Sequence, residues 1–364
     1  MTLIVDAHAD LAWNMLTYGR DYTRSAMETR RLEAGSKIVE ENDDCTIGWP
    51  DYQRGQVSIL FSTLFASPAR CRTNETETQV YKTFDEAYRL YRGQGQLYHQ
   101  LADSHPDKFR ISRSTSDLSR HLEDWQTPKA TGHPVGLVFL IEGADCIRKP
   151  DELREWHELG VRLIGPAWVG TRYSGGWKEP GALTDDGRTL LKAMADFNFM
   201  LDLSHMDEQA ALEAIDLYGG PIVSTHTNCL ALMPGYKDNR QFSDRVIRGI
   251  IERGGVFGLV PFNGYLVTGW KRGRDRREVV PLDAFAAHID HVCQLAGDSL
   301  HAGIGSDFDG GFGLQSVPLG MDTIGGLHDL LNPLLAARGY SETDITNILG
   351  GNWLTRLKRD LPSS

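Results

Sequence analysis

Six residues able to bind a metal or carry a proton recur at the ends of short apolar runs. His8 and Asp10 fall in Leu3–Leu11, Glu142 follows Val135–Ile141, and His205 follows Phe199–Ser204. His226 follows Ile222–Thr225, and Asp307 follows His301–Ser306. Side chains alternate along a strand, so His8 and Asp10 project to one side if the first strand runs that far. Imidazoles and carboxylates without a thiolate suit zinc, and also manganese or iron. Any one of these residues alone is more often a satisfied polar group, but six at corresponding strand ends argue for a metal centre. The set suits two ions better than one. His8 and Asp10 would serve one, His205 and His226 the other, with Glu142 bridging through its two oxygens. Two divalent ions ~3.5–4 Å apart can share a hydroxide, a nucleophile near neutral pH. Asp307 would hold that hydroxide's proton and deliver it to a leaving amine.

These residues can meet only if the strand ends converge. The pattern predicts eight strands: 3–11, 56–65, 135–142, 161–165, 199–204, 222–225, 255–260 and 301–306. Helices are expected between them, including 84–104, 151–159, 188–198, 207–218, 244–253 and 282–295, with closing helices at 324–337 and 342–359. The unbroken apolar run Val135–Ile141 reads as a strand buried on both faces, as in a parallel sheet. Repeated strand-helix alternation closes most simply as a (β/α)8 TIM barrel, whose active sites lie at the carboxyl ends of its strands. An open doubly wound sheet is the alternative, but no G-x-G-x-x-G follows the first strand. The expectation is a single barrel domain over residues 1–364, with inserts near 17–51 and 109–125. The charged 17–51 stretch reads as a solvated face or as a loop or helix over the site.

The chain has 364 residues, 41% hydrophobic and 24% charged, which suits an ordinary globular protein. Its net charge of -11 argues against a nucleic-acid partner. No apolar run approaches the ~18–20 residues of a membrane span, and the start leaves no room for a secretion signal. Cys45, Cys71, Cys146, Cys229 and Cys293 form no C-x-x-C pair and suit reduced thiols, so the expected compartment is the cytoplasm. The remaining histidines, at 99, 105, 121, 157, 288, 291 and 328, are expected in packing or surface roles, with His133 and His301 at the opposite rim.

Asp6-Ala7-His8-Ala9-Asp10-Leu11, Ile141-Glu142-Gly143, Asp202-Leu203-Ser204-His205, Ser224-Thr225-His226 and Gly305-Ser306-Asp307-Phe308-Asp309-Gly310 resemble the membrane (renal) dipeptidase family, peptidase family M19. The likeness extends to Gly351-Asn352-Trp353-Leu354-Thr355-Arg356 and so covers nearly the whole chain. It implies an amidohydrolase-type barrel, usually dimeric, with a binuclear zinc site that cleaves dipeptides and tolerates a D-residue at the C-terminal position. His8 and Asp10 then look like ligands of the first zinc, Glu142 like the bridge, His205 and His226 like ligands of the second, and Asp307 like the acid/base. Arg240 looks like the arginine that grips the substrate carboxylate, a role that suits its permanent, bidentate charge. One departure stands out. Where the family usually places a carbonyl-polarising histidine after the fourth strand, this chain has Trp168, whose indole can donate one hydrogen bond but cannot become cationic. Arg172 or Tyr173 could substitute, or Trp168 could shape a different pocket. The competing readings are an amidohydrolase acting on an N-acyl amino acid or cyclic amide, and a non-catalytic metal-binding homologue.

Overall fold

The computed structural model describes residues 2–129 and 131–364. The barrel strands are β1 Ile4–Ala9, β2 Val57–Phe65, β3 Val135–Glu142, β4 Val161–Gly165, β5 Met200–Asp202, β6 Ile222–Val223, β7 Phe257–Leu259 and β8 Ala302–Ile304. They pair in the order β6-β5-β4-β3-β2-β1-β8-β7, and every one of these pairings is parallel. A parallel bridge from Ser224 to Phe257 spans the seam between β6 and β7. There the Ser224 N–H donates to Val256 O at 3.0 Å and the Gly258 N–H to Ser224 O at 2.7 Å. The expected (β/α)8 barrel is thus the observed architecture.

Packing follows the period of two. In β3, Val138 and Leu140 share a face with Glu142, and their β2 neighbours Ile59 and Phe61 join them in one buried cluster. Ala7, Leu163, Met200 and Val223 extend that cluster, and Trp353 closes it with an indole N–H donated to Ile304 O at 3.1 Å. This apolar layer supports the polar rim above it.

Several boundaries differ from expectation, each for a local reason. β1 ends at Ala9, and Asp10 starts a helix, Leu11–Tyr18, in place of further strand. Asp6 pairs with Leu60 and Ala9 with Ser62, so β1 carries one residue more than β2 over that interval. This bulge turns the ligand-bearing end out of strict alternation. The helix expected from Arg188 begins at Asp185, because the Thr184 hydroxyl accepts the Gly187 N–H and caps it. An unexpected antiparallel hairpin pairs Ser174–Gly176 with Glu179–Leu183. The expected closing helix is interrupted by a π turn, Asn347–Gly351, where a Cβ on Gly350 would stand 2.2 Å from Leu3 O. The 17–51 stretch holds the helices Ala26–Glu33 and Lys37–Asn42 and the start of Trp49–Gly55. In the 109–125 insert, strand Phe109–Ile111 pairs with the start of β3 and is followed by helix Thr115–Gln126. No helix among the described residues is long and apolar enough to cross a membrane.

Candidate metal centre

Glu142 closes β3, while His205, His226 and Asp307 each lie three residues beyond β5, β6 and β8. His8 and Asp10 flank the end of β1. These six side chains meet. Glu142 Oε1 lies 2.9 Å from His205 Nε2 and 3.3 Å from His226 Nε2, while its Oε2 lies 3.6 Å from His8 Nε2. His8 Nε2 is also 3.6 Å from Asp10 Oδ2 and 3.7 Å from Asp307 Oδ1. One carboxylate therefore faces two imidazoles with one oxygen and a third imidazole with the other.

Neighbouring groups fix these side chains. The Thr63 hydroxyl bonds Asp10 Oδ1, and Tyr91 donates its hydroxyl to Glu142 O at 2.7 Å. The Thr225 hydroxyl bonds Asp202 Oδ2 at 2.5 Å and lies 2.9 Å from His226 Nδ1. Because it donates its own proton to Asp202, that hydroxyl accepts from Nδ1–H, which leaves the Nε2 lone pair of His226 turned to the centre. His205, Asp307 and Asp309 have φ of 66°, 55° and 65°, left-handed values uncommon for non-glycine residues. A Cβ on Gly310 would stand 2.0 Å from Asp307 Oδ1 and 2.9 Å from Asp10 Oδ2, so only glycine leaves these carboxylates their places.

The donor set fits a cation. Both ring nitrogens of His8 and Nδ1 of His205 are buried without a hydrogen-bond partner. A tetrahedral ion with bonds of about 2.1 Å holds its ligand atoms about 3.4 Å apart. The spacings of 3.6 to 3.7 Å around His8 Nε2 are close to that. Potential ligand atoms converge in two overlapping groups, His8 with Glu142 and His226, and His8 with Asp10 and Asp307. Asp307, expected only as a proton carrier, thus also lies within ligand reach.

Electrostatics give the same demand for positive charge. Burial opposes an imidazolium at His8, but Glu142, Asp10 and Asp307 outweigh it and raise its pKa to about 10. Burial also raises Glu142 well above the usual carboxylate range and Asp307 to about 7, partly offset at each by His8. His205 and His226 are held neutral, chiefly by burial and further by nearby cations including Arg240. A raised His8 pKa means the folded chain keeps a proton that the unfolded chain releases near pH 6.5. That stability is complete below pH 6.5 and lost as pH climbs to about 10. The lowered histidines act in the opposite sense, but only below pH 6.5. The chelated protein should therefore lose stability between pH 7.5 and 9.5, by up to about 1.4 kcal/mol per pH unit. Thermal melts across that range would show it, and saturating zinc should flatten the profile. A flat profile without metal would contradict this electrostatic account.

The family model described as membrane dipeptidase, peptidase family M19, matches residues 1–360. The chain belongs to this family. An uncharacterized Klebsiella pneumoniae protein from the pqqA 5' region is 31% identical over 71% of this chain and 92% of its own length. An uncharacterized dipeptidase of Schizosaccharomyces pombe is 29% identical over 98% of this chain and 80% of its own. Among solved structures, a Rhodobacter sphaeroides metallo peptidase liganded with a phosphinate mimic of L-Ala-D-Ala superposes with a TM-score of 0.77 at 24% identity. That match covers 99% of this chain and 100% of the other, and shows a shared fold.

In this M19 chain four of the six rim residues, Asp10, Glu142, His205 and Asp307, line a cavity of about 340 Å³. Trp168 lines it too, 4.9 Å from the Phe65 ring and 6.4 Å from that of His205, measured between centroids. Arg240 lies behind the lining. It is 1% exposed, donates to His226 O at 2.7 Å and to the Thr227 hydroxyl at 3.2 Å, and has an unpartnered Nε. The suggested substitutes for Trp168 are engaged elsewhere. Arg172 pairs with Asp186 at 2.8 Å, and the buried Tyr173 bonds Ile147 O. Trp13, Trp177, Tyr236, Phe262, Tyr265, Phe312 and Glu77 also line the cavity. They come from the helix Leu11–Tyr18 and from several loops, with no shared sequence pattern, so periodicity carries no signal for them. Of the other histidines, His121 and His288 are buried, and desolvation lowers both to about 4, which suits packing roles.

Proposed function

We propose that this M19 protein is a metal-dependent dipeptidase acting on L-Xaa-L-Xaa and L-Xaa-D-Xaa substrates with two zinc ions. The observation that carries the reading is Glu142, whose two oxygens face His8 on one side and His205 with His226 on the other. His8 and Asp10 would hold one ion, His205 and His226 the second, and Glu142 both. Bound there, two divalent ions supply Lewis-acid polarisation of an amide carbonyl and a water of lowered pKa. Asp307 holds a proton near neutral pH, its carboxyl raised to about 7 by burial, and passes it from Oδ1 to the departing amine. Arg240 offers charge toward the substrate carboxylate from behind the wall. The five free cysteines suit a reducing cytoplasm, and the family resemblance extends to a homodimer.

The decisive experiment is metal analysis with hydrolysis of an L,L and L,D dipeptide panel before and after chelation. About two zinc ions per chain, with cleavage lost on chelation and restored by zinc, is the expected result. Metal bound with no dipeptide cleaved would sink the reading. The apolar Trp168 then favours the second one, hydrolysis of an N-acyl amino acid or cyclic amide, which the same assay tests with those substrates. Arg240→Lys keeps the charge and loses the fork, so KM should rise about tenfold with little change in kcat. Steady-state kinetics with one good dipeptide would measure this, and an unchanged KM would remove Arg240 from substrate binding.

A further inference from the structure

The cavity has an apolar wall that metal chemistry does not require. Trp168 packs edge-on against Phe65 at 4.9 Å and Trp177 at 5.8 Å, and the Trp177 ring lies 6.1 Å from that of His205. This wall is anchored. The Trp177 N–H donates to Trp168 O at 3.0 Å, at the turn of the hairpin formed by Ser174–Gly176 and Glu179–Leu183. Asn239 clips that turn down, donating to Gly176 O at 3.0 Å and Asp207 Oδ2 at 2.9 Å while accepting the Lys178 N–H at 3.0 Å.

Charge points the same way. Among the described residues lining the cavity there is no lysine or arginine, while Glu77 and Asp238 add carboxylates outside the metal-facing set. Lys178 Nζ lies 3.9 Å from the Trp177 ring centroid but is not part of the lining, so within the cavity an anionic side chain meets Glu77 and Asp238, and a small one leaves the indoles unfilled.

We infer that Trp168 and Trp177 form a side-chain subsite that selects dipeptides bearing a bulky apolar or aromatic residue and disfavours acidic ones. This rests on the dipeptidase reading and adds the substrate class. Burying one large apolar side chain against such a wall is worth about ten- to a hundredfold in kcat/KM over alanine.

The test uses the zinc-loaded full chain with Phe-Ala, Ala-Phe, Ala-Ala, Asp-Ala and Ala-Asp. One of the two Phe isomers should exceed Ala-Ala by at least about tenfold in kcat/KM, with both Asp substrates below Ala-Ala. Trp177→Ala should collapse the Phe-to-Ala ratio toward one, and Trp177→Phe should restore much of it. Comparable rates for Ala-Ala and both Phe isomers, or a ratio unmoved in Trp177→Ala, would overturn the subsite and leave the dipeptidase reading standing. If no dipeptide is cleaved, that reading fails, and intrinsic tryptophan fluorescence titrations with the same dipeptides decide the subsite. Tighter binding of a Phe isomer than of Ala-Ala would uphold it, and equal affinities would overturn it.

Discussion

Glu142→Gln is expected to lower kcat/KM at least a thousandfold and to strip metal from the protein. Changing a group behind a ligand typically costs ten- to a hundredfold in affinity or activity, and a shared ligand should cost more. Glutamine keeps the shape, but it exchanges one anionic oxygen for an amide donor with no lone pair for a cation. Because Oε1 faces His205 and His226 while Oε2 faces His8, one side loses its oxygen outright and the other keeps only a neutral carbonyl. Stability without metal should change far less. Without metal, Glu142 shares a buried site with Asp10 and Asp307, and both raise its pKa further after burial has done so. Removing that charge relieves burial and like-charge crowding but takes from His8 the largest charge holding its proton, so the chelated variant should melt close to the chelated parent. Metal analysis, kinetics and paired melts distinguish a ligand from a packing residue. A variant that keeps its zinc and a tenth of its activity would show that Glu142 does not bridge.

The rim was legible in the sequence because its residues sit at one end of strongly apolar runs. Val135–Ile141 declares β3 and leaves Glu142 as its last residue. The same logic locates His205, His226 and Asp307, although the ladders stop earlier than the apolar runs do. Beyond Asp202, Val223 and Ile304 the backbone leaves regular pairing, and two of the three chemical residues adopt positive φ. Propensity contains nothing about such geometry, because surrounding packing maintains it. The bulge in β1 was hidden for a similar reason: it is a relation between two strands far apart in sequence. The cavity wall was the least legible part. Trp168 drew attention only as a departure from a family pattern, and Trp177 occupies the turn of a hairpin whose strands, Ser-Gly-Gly and Glu-Pro-Gly-Ala-Leu, lack the β-branched alternation that marks a strand. The charged 17–51 insert reads equally as a solvated face or as a loop or helix over the site, because its partners lie elsewhere in the chain.

Asp309 shows what that insert does, and Asp309→Ala is expected to cost about 3–5 kcal/mol of stability, the usual consequence of stranding a buried charge. Its carboxylate is wholly buried, as is the Arg20 guanidinium 2.9 Å away. Oδ1 accepts the Thr46 N–H at 2.8 Å and hydroxyl at 2.7 Å, while Oδ2 accepts the Tyr22 hydroxyl and the Cys45 thiol, each at 3.1 Å. Its carbonyl takes amide protons from Asn14 at 2.9 Å and Asn42 at 3.2 Å. Most of these donors come from the 17–51 stretch, so the insert clasps the loop that carries Asp307. Glu33 also pairs with Arg20, at 2.9 Å, which limits the loss and keeps the variant foldable. Turnover should fall with stability, because Asp307 two residues away relies on the same left-handed loop for its position. Asp309→Asn retains an acceptor without the charge and should lie between parent and alanine variant in both respects. Urea denaturation of the zinc-loaded proteins, beside kcat at a temperature where all are folded, would measure the two losses. An alanine variant within about 1 kcal/mol of the parent would mean that the clasp is held by the carbonyl contacts and that the buried ion pair contributes little.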